Sequence, residues 1–275
     1  MLSVDTPWVE YAIKGVPVAV KREDLCCPPP GPGFSKVRGV LAHLNKLKAA
    51  GLVDTVAVVD SIHSKAGWGV SYLAGGLNFK TIVYYPYTKV EGIEHVRPYQ
   101  RICRDRFGAE LRPLRATKSA VLWYQARKDL AERNPGAYLF PNGLKLNESI
   151  EETCREVLTT PPGLMNGTWV VSVSSGTIAK GIAKALAQIG FVDTLVLHMG
   201  YSRSHDELLR YTGEYLSGYK VEVVDEGYGY ADKVEGQCPF PCNPWYDLKA
   251  WNWLVERSDE ELAAMSPIRF WNVGN

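Results

Sequence analysis

Short apolar runs and helical patterns alternate along most of this chain. Four runs of mainly β-branched, aromatic and aliphatic residues show little polar alternation, and they cover residues 55–59, 81–85, 169–171 and 195–197. Such runs are typical of strands that are buried on both faces of a parallel sheet. Because helical segments lie between them, the pattern predicts an α/β architecture with right-handed crossovers.

Helix signals occur between and after these runs. Apolar residues repeat at helical spacing through 37–47 and stop before Gly51, a residue type that often ends helices. A second helical repeat covers 178–186, directly after a turn of small residues. Ser204 and Ser258 each precede a glutamate by three positions, and this spacing predicts two capping boxes.

Proline and glycine mark the loops. The stretch PPPGPG at 28–33 is incompatible with a helix or an inner strand, so we expect a loop that positions the residues after it. A second break, Pro161-Pro162-Gly163, precedes the strand predicted at 169–171. The chain contains no internal repeat and no long linker, which favours two α/β lobes.

Composition excludes several classes of protein. The 275 residues are 46% hydrophobic and 22% charged, which is typical of a globular chain. No window approaches 18 consecutive apolar residues, and the first residues lack an apolar leader, so we expect a cytoplasmic protein. The six cysteines are then expected to be reduced thiols. A zinc site at Cys26-Cys27 and Cys238/Cys242 is disfavoured because neither pair has C-x-x-C spacing.

The small net charge of +1 conceals a local imbalance. Between Arg97 and Lys128 nine basic residues face two acidic ones. This stretch is either the solvated surface of one lobe or a patch that faces a polyanion such as DNA.

Three local features invite a chemical interpretation. Lys36 follows the proline-rich loop at the start of a predicted helix, where the helix dipole favours the neutral amine that Schiff-base chemistry requires; the alternative is an ordinary surface lysine. Val173-Ser-Ser-Gly-Thr177 is either an ordinary turn or a phosphate cradle at a helix N-terminus, and it lacks the Gly-Lys-Ser/Thr of a P-loop. The third feature, Asp60-Ser-Ile-His-Ser-Lys-Ala-Gly-Trp-Gly69, follows a predicted strand at the sheet edge where α/β proteins bind ligands. A nucleophile–base pair of Ser64 and His63 is disfavoured because the two residues are adjacent in sequence.

Together these segments resemble a known enzyme family. Val18-Ala-Val-Lys-Arg-Glu-Asp-Leu25 and Ser35-Lys36-Val37-Arg38 are similar to the cofactor-lysine segment of fold-type-II pyridoxal-phosphate (PLP) enzymes, the tryptophan synthase β-like superfamily. The pattern is most similar to the subgroup of 1-aminocyclopropane-1-carboxylate (ACC) deaminase and D-cysteine desulfhydrase. The turns at 60–69 and 173–177 resemble its substrate loop and phosphate cup. Further similarities follow in order at Val221–Tyr230, at Asn243-Pro-Trp-Tyr-Asp-Leu-Lys-Ala250 and at Phe270-Trp-Asn-Val-Gly274.

The resemblance implies roles for individual residues. Lys36 would hold PLP as a Schiff base and move the substrate Cα proton, and Asp247 would face the pyridine nitrogen. Tyr246 would lie near the ring or the substrate, and Tyr228 or Tyr230 would be a second acid–base group or a packed aromatic. The phosphate would be bound by the cup residues Ser174, Ser175, Gly176 and Thr177.

The chain also departs from the family pattern. Lys65 or Gly67, depending on the alignment, stands where the family has an asparagine beside the cofactor's 3′-oxygen, so Lys65 would bind the cofactor there or bind a substrate carboxylate or phosphate instead. Ser64 matches the serine that contacts or attacks substrate in the deaminase. Val173 and Val273 replace a glycine of the cup and a terminal threonine, which leaves the pyridine nitrogen more dependent on Asp247.

The resemblance implies a two-lobed fold with a three-layer α/β/α large lobe, residues 1–42 plus 151–275, and a smaller inserted α/β lobe, residues 43–150. A homodimer is expected from the family alone. The leading hypothesis is a PLP-dependent lyase or deaminase that breaks a bond at Cα of an amino acid through a stabilised carbanion. The chain is short for this family, and its basic stretch supports an alternative, a decarboxylase or lyase for an amino-acid-modified pyrimidine in bacteriophage DNA. A second alternative is an inactive relative that binds a partner.

Overall fold

The computed structural model describes residues 5–90, 93–190 and 193–274. The chain divides into two compact units. Unit 1 contains residues 1–28, 33–36 and 149–275, and unit 2 contains residues 29–32 and 37–148. The division therefore falls directly after Lys36, whereas the boundary predicted at residue 42 lies within a helix that belongs entirely to unit 2.

Unit 1 is built on a six-stranded sheet. In chain order its strands are β1 (Trp8–Ile13), β2 (Val16–Arg22), β9 (Thr168–Val173), β10 (Thr194–Met199), β11 (Lys220–Val224) and β12 (Ile268–Asn272). Their spatial order is β1-β2-β12-β9-β10-β11, in which β1 and β2 form an antiparallel pair and the other neighbours are parallel. Every residue of β9 is buried, as expected for a central parallel strand that is covered on both faces.

The helices of this part of the chain are α5 (Asn147–Leu158), α6 (Thr177–Ile189), α7 (His205–Thr212), α8 (Asp247–Glu256) and α9 (Asp259–Met265). Helices α5 and α6 approach closely at Gly181, where an added Cβ would lie 2.6 Å from Cβ of Thr153. Two apolar clusters, one around Trp169 and Leu186 and one around Trp251 and Phe270, form the core. They fix the strand ends from which the site residues extend.

Unit 2 is a smaller α/β unit. Its strands are β3 (Thr55–Val59), β4 (Lys80–Pro86), β7 (Glu110–Leu114) and β8 (Tyr138–Leu139), with a short antiparallel pair β5 (Lys89–Val90) and β6 (Ile93–Glu94). The four main strands are parallel in the order β7-β4-β3-β8. Its helices are α1 (Val37–Ala50), α2 (Ala66–Gly76), α3 (Pro98–Phe107) and α4 (Ser119–Arg133).

The structure confirms the predicted α/β class. The four apolar runs are β3, β4, β9 and β10, and the two apolar repeats are α1 and α6. Gly51 has φ +64° after α1, and the side chains of Ser204 and Ser258 accept the N–H groups of Glu207 and Glu261. The predicted capping box is complete at Ser258, where Glu261 also accepts the serine N–H, whereas Ser204 makes the first of the two bonds. None of the helices in the described part of the chain is long and apolar enough to cross a membrane.

The basic stretch is only partly a surface feature. Arg112 is buried in unit 2 and forms ion pairs with Glu110 and Asp129 at 2.7 and 2.9 Å. The exposed basic side chains of the stretch lie on α3, on α4 and on the loop between β7 and α4, and they are Arg101, Arg104, Arg106, Arg115, Lys118, Arg127 and Lys128.

Candidate active site

Lys36 is held at the carboxyl end of β12. The Ser35 N–H donates to the carbonyl of Val273 at 2.9 Å, and Phe34 forms a β-bridge with Gly274. Gly33 packs directly against the Asp24 carbonyl, so any side chain there would collide with backbone. The end of the proline-rich loop is therefore fixed to the residues that follow β12, and Lys36 is fixed with it.

The amine of Lys36 contacts the predicted phosphate turn. Its Nζ donates to Oγ of Ser175 at 2.8 Å, and this oxygen lies 3.0 Å from Oγ1 of Thr177. The turn follows β9 and begins α6, whose first turn carries no acidic residue. Gly176 has φ +84°, and an added Cβ would lie 3.1 Å from the Tyr211 ring. The lysine and the turn, which are 139 residues apart in sequence, thus lie together within unit 1.

Asp247 is buried at the start of α8. Its Oδ1 accepts the Val273 N–H at 3.0 Å, and the N–H of Gly274 also bonds to this carboxyl group. Burial raises the pKa of Asp247 to about 8. Val273 therefore connects Asp247 to Ser35 through its own N–H and carbonyl, although its side chain cannot hydrogen-bond as a threonine would.

Tyr246 lies beside the phosphate turn. Its hydroxyl interacts with Ser174 and with Tyr230, and burial followed by the proximity of Tyr230 raises its pKa. The ring packs on Gly200, where an added Cβ would lie 2.9 Å from Cδ1 of Tyr246. Tyr201, the next residue, packs edge-on against Tyr230 at 5.2 Å. These contacts place three tyrosines near the turn.

Tyr228 makes different contacts. Its ring lies 4.5 Å from the Lys249 ammonium, and its hydroxyl interacts with Glu226. Burial, followed by the nearby Glu226 carboxylate, raises its pKa. The sequence left Tyr228 and Tyr230 as alternatives for a second acid–base group, and in the structure it is Tyr230 that interacts with Tyr246.

The turn at 60–69 belongs to unit 2 and is organised around Asp60. This carboxyl is fully buried, its Oδ1 accepts the Gly67 N–H at 2.7 Å, and it interacts with the hydroxyl of Ser64. Burial raises the pKa of Asp60 to about 7. Lys65 is the residue before α2, and burial lowers its pKa to about 8. Since Gly67 closes the turn onto Asp60, this glycine has a structural role.

Two residues near these sites, Tyr201 and Lys249, were not predicted, and neither was the burial of Asp60. Tyr201 follows β10, whose carboxyl end lies beside that of β9, so the sheet-edge rule that was applied to the turn at 60–69 also applied to it. Lys249 is buried and donates to the Gly200 carbonyl at 2.7 Å. Neither Lys249 nor the burial of Asp60 has a local sequence signal, because both depend on packing between distant segments.

The residues of unit 1 fit the requirements of PLP. The cofactor needs a primary amine for its aldehyde, hydrogen-bond donors for its phosphate and a polar partner for its ring nitrogen. Lys36 offers the amine, and the turn at 174–177 offers hydroxyls at a helix N-terminus, where the dipole favours an anion. Asp247 offers a carboxyl fixed by two backbone N–H groups.

Comparison with known proteins identifies relatives of this chain. A scan of family models matches none. A glycyl-dTMP PLP-dependent decarboxylase of Pseudomonas phage M6 is 43% identical over 281 aligned residues that cover all of both chains. A crystal structure of an ACC deaminase homologue superposes with a TM-score of 0.75 at 20% identity, covering 98% of this chain and 89% of that one.

Two further solved structures share the fold. A hydrogen sulfide-producing enzyme of Fusobacterium nucleatum has a TM-score of 0.64 at 14% identity and covers 99% of this chain and 97% of its own. O-ureido-L-serine synthase has the same TM-score at 16% identity, covering 98% of this chain and 88% of that one. At such low identity these three likenesses show the fold, whereas the phage relative shows the family and its cofactor. The chain belongs to the fold-type-II PLP-dependent enzymes.

Proposed function

We propose that this enzyme decarboxylates an amino acid that is attached to a thymidine nucleotide. The observation that carries the proposal is the 43% identity over the full length with a decarboxylase named for glycyl-dTMP. Among the hypotheses raised by the sequence, this one corresponds to the phage decarboxylase rather than to the lyase or deaminase of a free amino acid. The inactive alternative is set aside because the relative is an enzyme.

The cofactor would be held by residues of unit 1. When bound, PLP supplies an electron sink for the pair of electrons left at Cα when a bond there breaks. Lys36 would hold it covalently, and the turn at 174–177 would bind its phosphate. Asp247 would face the ring nitrogen, with its carboxyl kept in place by Val273.

Decarboxylation requires one proton to be placed on the substrate. The bond between Cα and the carboxylate breaks, carbon dioxide leaves, and a proton must be added at Cα. Lys36 would deliver that proton, because Ser175 holds its amine at 2.8 Å and the docked residues 33–35 restrict its backbone. The net products are carbon dioxide and the amine.

The tyrosine hydroxyls would orient the reacting amino acid. Tyr246 is fixed between Gly200, Ser174 and Tyr230, so its hydroxyl position is set by packing on one side and hydrogen bonding on the other. A raised pKa keeps the hydroxyl protonated at neutral pH, and it therefore acts as a donor. Ser64 of unit 2, oriented by Asp60, would be a further hydroxyl for substrate.

Two forms of the substrate are compatible with this proposal, a free nucleoside monophosphate and a modified nucleotide within DNA. The exposed basic side chains on α3 and α4 favour the polymer, because each phosphate neutralised by such a side chain releases bound counterions. Binding of modified DNA would then weaken steeply as salt rises, whereas binding of the free nucleotide would weaken far less.

The test is product analysis on a synthetic substrate. The holoenzyme is incubated with glycyl-dTMP labelled at the carboxylate carbon, with an oligonucleotide that carries the same group, and with free glycine, alanine and D-cysteine. We expect labelled carbon dioxide and the matching amine from a nucleotide substrate. Lys36→Ala should abolish release, and Lys48→Ala, a change at an exposed lysine of α1, should not alter it. Ammonia and an oxo acid from a free amino acid, with no carbon dioxide from glycyl-dTMP, would contradict the proposal.

A further inference from the structure

Unit 2 contains an aromatic pair that the proposed chemistry does not use. Trp68 in the first turn of α2 stacks on Tyr99 in the first turn of α3, with ring centroids 5.6 Å apart and planes 21° from parallel. The Trp68 indole N–H donates to the Pro30 carbonyl at 2.9 Å, which fixes the orientation of the ring. Both residues are partly exposed.

A lysine lies over this pair. The ammonium of Lys65 is 5.0 Å from the centroid of the Tyr99 ring. A cation over an aromatic face is attracted by the ring's quadrupole, and Lys65 is half-buried. Burial also lowers the pKa of Lys65 to about 8, so a nearby anion would favour its charged form.

An arginine lies at the start of the same helix. Arg97 precedes Pro98 at the N-terminus of α3, and its Nη1 donates to the Ile62 carbonyl at 2.9 Å. This bond ties α3 to the turn that carries Lys65. The first turn of α3 has no acidic residue, so the positive end of the helix dipole adds to the two cationic side chains. The carboxyl group that interacts with Arg97, Asp60, is fully buried.

We propose that Lys65, Arg97, Trp68 and Tyr99 form the subsite for the nucleotide part of the substrate. The two cations bind the 5′-phosphate, and the nucleobase stacks against the aromatic pair. This inference rests on the proposed function, because it assigns the part of the substrate that a free amino acid lacks.

The combination favours a nucleotide over a simple anion. A phosphate alone requires cations and N–H donors, whereas a base also gains from an ordered aromatic surface. The hydrogen bond to Pro30 keeps that surface in place before binding, which reduces the ordering cost of association. The subsite also gives Lys65 a role different from contact with the cofactor oxygen.

The experiment measures ligand binding to the PLP-loaded protein without turnover. Equilibrium dialysis gives the Kd of dTMP, thymidine and inorganic phosphate for wild type and for Lys65→Gln and Tyr99→Leu. We expect each variant to raise the Kd of dTMP by about tenfold or more, since each loses one charge-assisted or stacking contact. The affinity for thymidine, which lacks the phosphate, should fall in Tyr99→Leu and should change little in Lys65→Gln. The matched control is Lys89→Gln, which removes an exposed lysine that lies 5.9 Å from the Tyr87 ring.

The outcomes separate this inference from the proposed function. If wild type binds dTMP and both variants bind it equally well, the subsite is overturned and a nucleotide substrate stays in place. Wild type that binds no dTMP, while a free amino acid changes the visible spectrum of the cofactor, would overturn both. A Lys65→Gln protein with an altered cofactor spectrum would assign this lysine to the cofactor and contradict the subsite. Thermal unfolding that is unchanged from wild type shows that the variants are folded.

Discussion

Gly176 provides a sharp test of the phosphate turn because α6 begins and ends on glycines with positive φ. Gly176 at its N-terminus has φ +84°, and an added Cβ would lie 3.1 Å from the Tyr211 ring and 3.3 Å from Leu208. Gly190 at its C-terminus has φ +73° and no atom within 4 Å of the added Cβ. Each alanine substitution strains the backbone by roughly 1 kcal/mol. Only Gly176→Ala also pushes the turn that Lys36 contacts.

The two variants should therefore differ in cofactor binding and not in conformational strain. We expect Gly190→Ala to lower the free energy of unfolding by ~1 kcal/mol and to leave the Kd for PLP unchanged. Gly176→Ala should lower stability by at least as much and weaken PLP binding about tenfold, a loss of ~1.4 kcal/mol. Denaturant unfolding of the cofactor-free protein and titration of the visible band with PLP measure the two quantities. Equal PLP affinity in both variants would refute the assignment of the turn.

Two further predictions concern Asp60 and the tyrosines. The folded protein keeps a proton on Asp60 up to about pH 7, whereas an unfolded aspartate loses it near 3.8, so stability falls as pH rises between these values. Asp60→Asn should remove this dependence and stabilise the protein by up to ~4 kcal/mol at pH 8, as measured by urea unfolding at several pH values. Tyr246→Phe should lower kcat by about tenfold to a hundredfold with little change in PLP affinity, and Tyr228→Phe should have a much smaller effect on kcat.

The controls for these predictions come from the same chain. Asp105 is exposed, and its hydrogen bond with Arg104 lowers its pKa, so Asp105→Asn should leave the slope of stability against pH unchanged above about pH 4. An Asp60→Asn protein whose stability still falls from pH 4 to pH 8 as in wild type would show that this carboxyl is not protonated in the fold. If Tyr228→Phe lowers kcat as much as Tyr246→Phe, then Tyr228 rather than Tyr230 serves the site.

The sequence predicts the local parts of this fold well. Strands such as Thr55–Val59 are recognisable because a central parallel strand is apolar on both faces, and the cap at Ser258 is recognisable because its chemistry involves four consecutive residues. The domain boundary after Lys36 has no such local sign, since it depends on which unit α1 packs with.

The site was predictable where its residues belong to motifs and not where they depend on packing. Lys36 and Ser175 lie far apart in sequence, and their proximity follows from the resemblance rather than from periodicity. The burial of Asp60 and Lys249 and the stacking of Trp68 on Tyr99 depend on contacts between elements that are distant in sequence. Composition and spacing therefore do not predict them. The homodimer stays a prediction of the resemblance.

Covalent labelling locates the cofactor on the chain and tests most directly whether Lys36 holds it. The PLP-loaded protein is reduced with borohydride, digested and mapped by mass spectrometry, so that the lysine joined to the cofactor carries a permanent pyridoxyl group. We expect this group on Lys36, whose amine contacts the phosphate turn. A pyridoxyl group on Lys65, whose pKa of about 8 also makes it a reactive amine, would contradict the assignment of Lys36. So would a protein that retains no label at Lys36.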